Sequence, residues 1–180
     1  LIKNANKVGH VLLNHGLKKG DKVLIMMPRA IITYELYIAA LKLGIAIIPS
    51  SEMLRTKDLQ YRITHGEINA VIALADFIEE FKGIKEYHEL TKFVVNGNEE
   101  NWISIEDEKV KQSDELDTAN TTRDDVAILS YTCHFTQKLF LKNEEGGTLC
   151  NSFCEANITL IPRPDIIRKL RTNIPDEHRS

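Results

Sequence analysis

No cysteine occurs in the first 132 residues; the three in the chain, Cys133, Cys150 and Cys154, lie close together near its carboxyl end. An odd, clustered set provides no disulfide framework for most of the chain and fits a reducing cytoplasm. No apolar run approaches the ~20 residues that span a bilayer, and no signal peptide is visible, so neither a membrane-spanning nor a secreted protein is expected. Neither sign of charge is in large excess. The formal net charge of −3 is too small to draw the chain to nucleic acid or a membrane surface. Glycine is missing from one place where it would matter. The stretch Asp124 to Thr132 reads as a buried strand running into a turn, and the turn continues Cys133-His134-Phe135-Thr136-Gln137-Lys138. Loops that grip phosphate use glycine because the backbone must reach positive φ and approach the anion closely.

What is present describes a globular protein. The 180 residues, 43% hydrophobic and 27% charged, amount to about one domain with a genuine core. Residues 98–117 hold eight Asp or Glu against two Lys, which reads as a solvated connection. The chain begins at Leu1 and is taken as a piece that lacks at least a few residues.

Periodicity then sets the elements. Ala5, Val8, Val11 and Leu12 fall at helical spacing, and Asn14-His15-Gly16 ends that helix. Val23 to Met27 is a short continuous apolar run, as expected of a strand covered on both faces. Ile31 to Leu43 forms the next helix, stopped by Gly44, and Ile45 to Ile48 a second buried strand closed by Pro49. Strand, helix and strand in that order make a parallel βαβ unit with a right-handed crossover. Thr56 is the expected N-cap of a helix through His65, with Gly66 as its C′ residue. Ala70 to Leu74 and Lys92 to Val95 are further strands, Phe77 to Phe81 a turn or two of helix, and Trp102 to Ile105 a short extended piece. The class is α/β, an open, mostly parallel sheet built from βαβ units. In such sheets ligands bind beyond the carboxyl ends of the strands, here Pro28-Arg29, Pro49-Ser50-Ser51 and Ser130-Tyr131-Thr132.

Several of these segments carry a resemblance. Gly20-Asp21-Lys22-Val23 through Met27-Pro28-Arg29, Ala39-Ala40-Leu41-Lys42-Leu43-Gly44 through Ile48-Pro49, Arg62-Ile63 with Ala70-Val71-Ile72, and Asp124 through Thr132, taken in that order, resemble the amino-terminal part of the AMP-forming acyl-CoA synthetases and related adenylating ligases. The resemblance covers residues 1–132, which are expected to form a partial AMP-binding domain. It implies ATP and Mg²⁺ as cofactors, a small carboxylic acid activated as its acyl-adenylate, and coenzyme A as acceptor of the acyl group. The chemistry needs backbone N–H groups, hydroxyls, a lysine and metal to neutralise the transferring phosphoryl group. The family's phosphate loop reads Tyr-Thr-Ser-Gly-Thr-Thr-Gly-x-Pro-Lys. Tyr131 and Thr132 match its opening and Thr136 its second threonine, so these three are the nucleotide-binding residues that the resemblance implies. Cys133, His134 and Gln137 stand in place of its serine and both glycines, Lys138 comes two places early, and the later adenine, ribose and lysine motifs are missing from the sequence. No catalytic residue is assigned.

The segment Leu139 to Pro164 resembles part of the reading frame of mammalian LINE-type retrotransposons where the reverse transcriptase region begins, the likeness covering about residues 137–164. Residues 133–180 are accordingly expected to be an unrelated, chimeric tail, poorly packed and weakly ordered. No catalytic aspartate motif accompanies it. A sheet cut off after residue 130 is also expected to leave an open edge and an aggregation liability.

Other features have plainer readings. Cys133, His134, Cys150 and Cys154 match no paired zinc-knuckle spacing, so no metal site is assigned. Tyr34 and Tyr37, at i and i+3, are expected to pack rather than touch substrate. His65 suits a helix C-terminus, where positive charge is favourable. Two functional readings follow: a fragment of an ATP-dependent acid–thiol ligase, or a catalytically silent truncated α/β module with at most weak ligand or protein binding.

Overall fold

The computed structural model describes residues 1–122, 124–131 and, for the backbone, 159–162. The helix α1 (Ile2–Asn14) precedes β1 (Lys22–Met26), α2 (Ile31–Leu43), β2 (Ala46–Ser50), α3 (Thr56–Gly66) and β3 (Ala70–Leu74). A 3₁₀ turn and the short α4 (Glu79–Lys82) lead to β4 (Thr91–Val95), β5 (Ile103–Ser104), α5 (Ile105–Lys109), β6 (Val126–Ser130) and β7 (Thr159–Pro162). The sheet order is β5-β4-β3-β1-β2-β6-β7. All neighbours run parallel except β7, which lies antiparallel on β6. The α/β class and mostly parallel sheet expected from the sequence are those observed, and β7 occupies the edge of β6 that was expected to lie open.

The continuous apolar runs are explained by burial on both faces. Val23, Ile25, Ile47, Ile72, Phe93 and Val95 point into a core shared with α1, α2 and α5. Leu24, Met26, Ile48, Val71, Val94 and Leu129 point into a second core beneath α3 and α4. Each alternate strand residue serves the opposite layer. On α2 the buried stripe is Thr33, Glu35, Leu36, Ala39, Ala40 and Leu43, and a fully buried leucine such as Leu36 is stabilised by roughly 1.5–3 kcal/mol. Gly44 ends α2 at φ 75°, while Ile45 N–H donates back to the Ala40 carbonyl at 2.9 Å, the hydrogen bond of a Schellman turn.

Local readings need correction in several places. Arg55, not Thr56, is the N-cap of α3. The Arg55 N–H donates to the Asp58 carboxylate at 3.3 Å, and Thr56 gives both its N–H and its hydroxyl to Glu80, at 3.0 and 3.1 Å. Gly66 is the last helical residue, and Glu67 takes the left-handed position at φ 50°. β2 runs through Pro49 to Ser50 rather than stopping at the proline. Tyr37 packs against the first core but Tyr34 is 54% exposed, because α2 turns it away from the sheet.

The acidic stretch is not merely a solvated connection. It contains β5 and α5, the fully buried Ile105 and the nearly buried Trp102, and it continues as a strap across α1 and α2. Asn6 Nδ2 donates to the Asp114 carbonyl and Lys42 Nζ to the Leu116 carbonyl, at 2.6 and 3.0 Å. Leu116 lies so close over Gly9 that a Cβ there would come within 2.3 Å of its Cδ2. The glycine is therefore a contact surface rather than a flexible joint.

Ion pairs add to this strap. Lys3 pairs with Asp114 and Lys19 with Asp125, each at 2.9 Å. A hydrogen bond from Lys3 holds the Asp114 carboxyl below its ordinary 3.8, and one from Lys19, then the Thr122 N–H, does the same for Asp125. Because both folded values are depressed, the unfolded chain takes up more protons, so this contribution is complete above 3.8 and is lost as pH falls through the folded values. The stability difference between wild type and a Lys3→Met/Lys19→Met variant, read from urea unfolding, is expected to shrink toward zero under acid conditions. A gap that persists undiminished would contradict the pairing.

Candidate functional site

β2 and β6 are parallel neighbours, with Ile47 opposite Ile128, so Ser50 and Tyr131 emerge together at the carboxyl edge of the sheet. This is the edge at which ligands of open α/β sheets bind. Helix α3 leaves that edge and runs back along the sheet, placing Tyr61, Arg62, His65 and Gly66 beside Tyr131.

Tyr131 is almost wholly buried. Its hydroxyl lies 3.2 Å from His65 Nδ1 and 3.0 Å from the position a Cβ would take on Gly66. That close approach explains why glycine ends α3, a requirement of space rather than of positive φ. The Tyr61 ring stacks on His65 with centroids 5.3 Å apart and meets Tyr131 edge-on at 6.4 Å. Burial, then the neighbouring Tyr61, raises the Tyr131 phenol above its ordinary 10.0, although the Arg62 charge opposes this. The hydroxyl therefore stays protonated and able to donate to His65. Arg62 Nη1 donates to Ser50 Oγ at 3.3 Å, and its Cζ lies 5.0 Å from the Tyr131 ring centroid.

Of the three nucleotide-binding residues that the sequence suggested, the structure places Tyr131, as a buried residue directly after β6 at the carboxyl edge. Thr132 and Thr136 lie outside the described residues. So do Cys133, His134, Cys150 and Cys154, and the expectation of a poorly packed tail falls outside them too, the β7 backbone excepted. Among the described residues no group of three His, Cys, Asp or Glu side chains is arranged to hold a metal ion, and no helix is long and apolar enough to cross a membrane. The sequence reading placed Ser50 among the strand ends where ligands bind, gave Arg62 no site role and explained His65 by its helix position alone. A signal for Arg62 was nonetheless present: Leu59, Arg62, Ile63 and Gly66 share one stripe of α3, so the arginine lies in the buried series.

A cleft of about 620 Å³ opens at the other end of the sheet, with Asp21, Asn69 and Thr91 near the starts of β1, β3 and β4. Glu67, Glu86 and Glu89 share its wall, and with Asp21 these four carboxylates outnumber the one lining lysine, Lys18, so the cleft disfavours an anionic ligand. Size thus points to one edge and chemistry to the other. The carboxyl edge is the better candidate because it gathers a buried cation, Arg62, with the hydroxyl groups of Ser50 and Tyr131.

The fold and this edge define an α/β domain whose mostly parallel sheet is covered by helices on both faces. A family model described as AMP-binding enzyme matches residues 1–133, and the chain belongs to that family. It is 42% identical over 135 residues to an uncharacterized acyl-CoA ligase of Bacillus subtilis, covering 73% of this chain and 25% of that protein. It is 31% identical over 131 residues to 4-hydroxybutyrate–CoA ligase 1 of Metallosphaera sedula, covering 71% and 22%. Among solved structures, an anthranilate CoA ligase in complex with anthranoyl-AMP superposes with a TM-score of 0.69 at 21% identity, over 73% of this chain and 26% of that one. The chain thus spans about a quarter of the length of the relatives it matches.

Proposed function

We propose that residues 1–132 are the amino-terminal part of the nucleotide-binding lobe of an ATP-dependent acid–thiol ligase, the lobe that activates a carboxylic acid as its acyl-adenylate for transfer to coenzyme A. One observation carries this reading. β6 delivers Tyr131 to the carboxyl edge beside Ser50 and Arg62, with its hydroxyl against His65, which supports a phosphate grip beginning at this edge. ATP, Mg²⁺ and coenzyme A are the ligands of the parent reaction, with Thr132 and Thr136 contributing hydroxyl contacts to phosphate and Tyr131 holding the loop's foot. The relatives' names support a ligase that forms acyl-CoA esters, and the acid is of unassigned structure.

A second reading has its own support. Cys133, His134 and Gln137 replace the loop's serine and both glycines, which removes the backbone freedom that phosphate cradling needs. As an isolated 180-residue polypeptide the protein is then catalytically silent, with a domain boundary near Thr132 and an unrelated tail after it. Purified protein mixed with ATP, Mg²⁺ and a panel of short and medium-chain acids decides between the two. Pyrophosphate release abolished by Thr132→Ala establishes the enzyme. Release indistinguishable from buffer, together with no heat of ATP binding, establishes the silent module.

A further inference from the structure

We propose that Arg62 is an anion-binding residue that receives a phosphoryl oxygen at the carboxyl edge of the sheet. This rests on the reading of that edge as the nucleotide end of the domain. Arg62 is 7% exposed, and its guanidinium is permanently charged. Among the described residues it enters no ion pair. Its one hydrogen bond goes to a neutral hydroxyl, Ser50 Oγ, and its other neighbour of note is the face of the Tyr131 ring. Five N–H donors are available, and among the described residues only one is used. Burying a cation without a counter-charge is costly, and one hydroxyl with one ring offsets part of that cost.

Geometry gives the direction. Helical side chains lean toward the helix N-terminus; α3 begins at the carboxyl edge, so Arg62 leans toward it. The two residues it touches confirm the placement, because Ser50 ends β2 and Tyr131 follows β6. A cation held between the ends of two adjacent parallel strands, beside Ser50 and Tyr131, is suited to a phosphate oxygen pair, which the planar fork of arginine matches in a way lysine does not. Tyr131 keeps the fork in place from one side and Ser50 from the other.

The test uses the full 180-residue chain with inorganic pyrophosphate as probe, read by titration calorimetry at low ionic strength and by the Arg62 Nε–H resonance. Wild type is expected to bind, with the Nε–H signal shifting in step. Arg62→Met is expected to weaken binding by about tenfold or more, as for loss of a charge-assisted contact, and Arg62→Lys to restore part of it. Should Arg62→Met fail to fold, the wild-type resonance decides. Equal binding by Arg62→Met, an unmoved Nε–H signal, an absence of wild-type binding, or acetate binding as tightly as pyrophosphate would each overturn the assignment. Because binding is read without turnover, failure of pyrophosphate release from ATP leaves this proposal standing. Conversely, turnover that survives Arg62→Met with pyrophosphate binding unchanged removes Arg62 and leaves the ligase reading intact.

Discussion

Replacing Phe93 with alanine lowers the free energy of unfolding by about 3–5 kcal/mol, the range for deleting a fully buried aromatic side chain. Phe93 lies in the middle of β4, opposite Ile72 on one side and Ile103 on the other, and none of it is exposed. It fills the layer under α1, where the His15 ring meets it edge-on with centroids 5.8 Å apart. The gap left by the ring resists collapse. The backbone on both flanks is fixed by ladder hydrogen bonds, and the helix above is pinned to the strap through Asn6 and Leu116. For a domain whose whole stability is about 5–15 kcal/mol, such a loss populates the unfolded chain appreciably. Urea unfolding should show a lower midpoint with an unchanged slope. Tyr34→Ala, at an exposed position, should stay within about 0.5 kcal/mol of wild type. Equal costs for the two would contradict the burial pattern.

The contrast between Phe93 and Tyr34 shows which features of the fold were legible in the sequence. Fully buried strands declare themselves as apolar runs, so Val23 to Met27 and Ala70 to Leu74 were readable, and Gly44 was readable because only a left-handed turn needs it there. The position of Tyr34 was not, since residues three apart on a helix share a face only loosely and α2 has apolar residues almost all round. The roles of Thr56 and Gly66 were misread for a shared reason: both are set by distant partners, Glu80 in one case and Tyr131 in the other, and local capping rules know nothing of either. The acidic stretch misled because it buries Ile105 and Trp102 and pairs Asp114 with Lys3 of α1 and Lys109 with Glu35 of α2, contacts that a count of like charges conceals. At the candidate site, the arrival of Tyr131 at the carboxyl edge was legible from the order of strands. The cluster on α3 was not, because Arg62 and His65 meet Tyr131, 66 residues after His65 in the chain, only when β6 inserts beside β2.

The largest electrostatic effect is expected at Lys109. Glu35 is buried within α2, its Oε1 accepting from Asn4 Nδ2 at 2.8 Å and its Oε2 from Lys109 Nζ at 3.2 Å. The two partners are unequal: the glutamate side chain is 4% exposed and that of the lysine 22%. Lys109→Met leaves a carboxylate in the seam between α1, α2 and α5 with one neutral donor, and the expected loss is about 2–3 kcal/mol, below the 3–5 of a wholly enclosed pair because water still reaches the lysine side. Glu35→Gln keeps the shape and can keep the Asn4 contact, while the freed ammonium reaches solvent; its expected loss is about 1 kcal/mol. The double variant should be more stable than Lys109→Met alone, because the second change removes the stranded charge, and that sign in a double-mutant cycle is the diagnostic outcome. A larger loss from Glu35→Gln than from Lys109→Met would mean that the lysine, not the glutamate, is the group whose charge the fold must satisfy. The strap would then be held by the packing of Ile105 and Leu116 rather than by this pair.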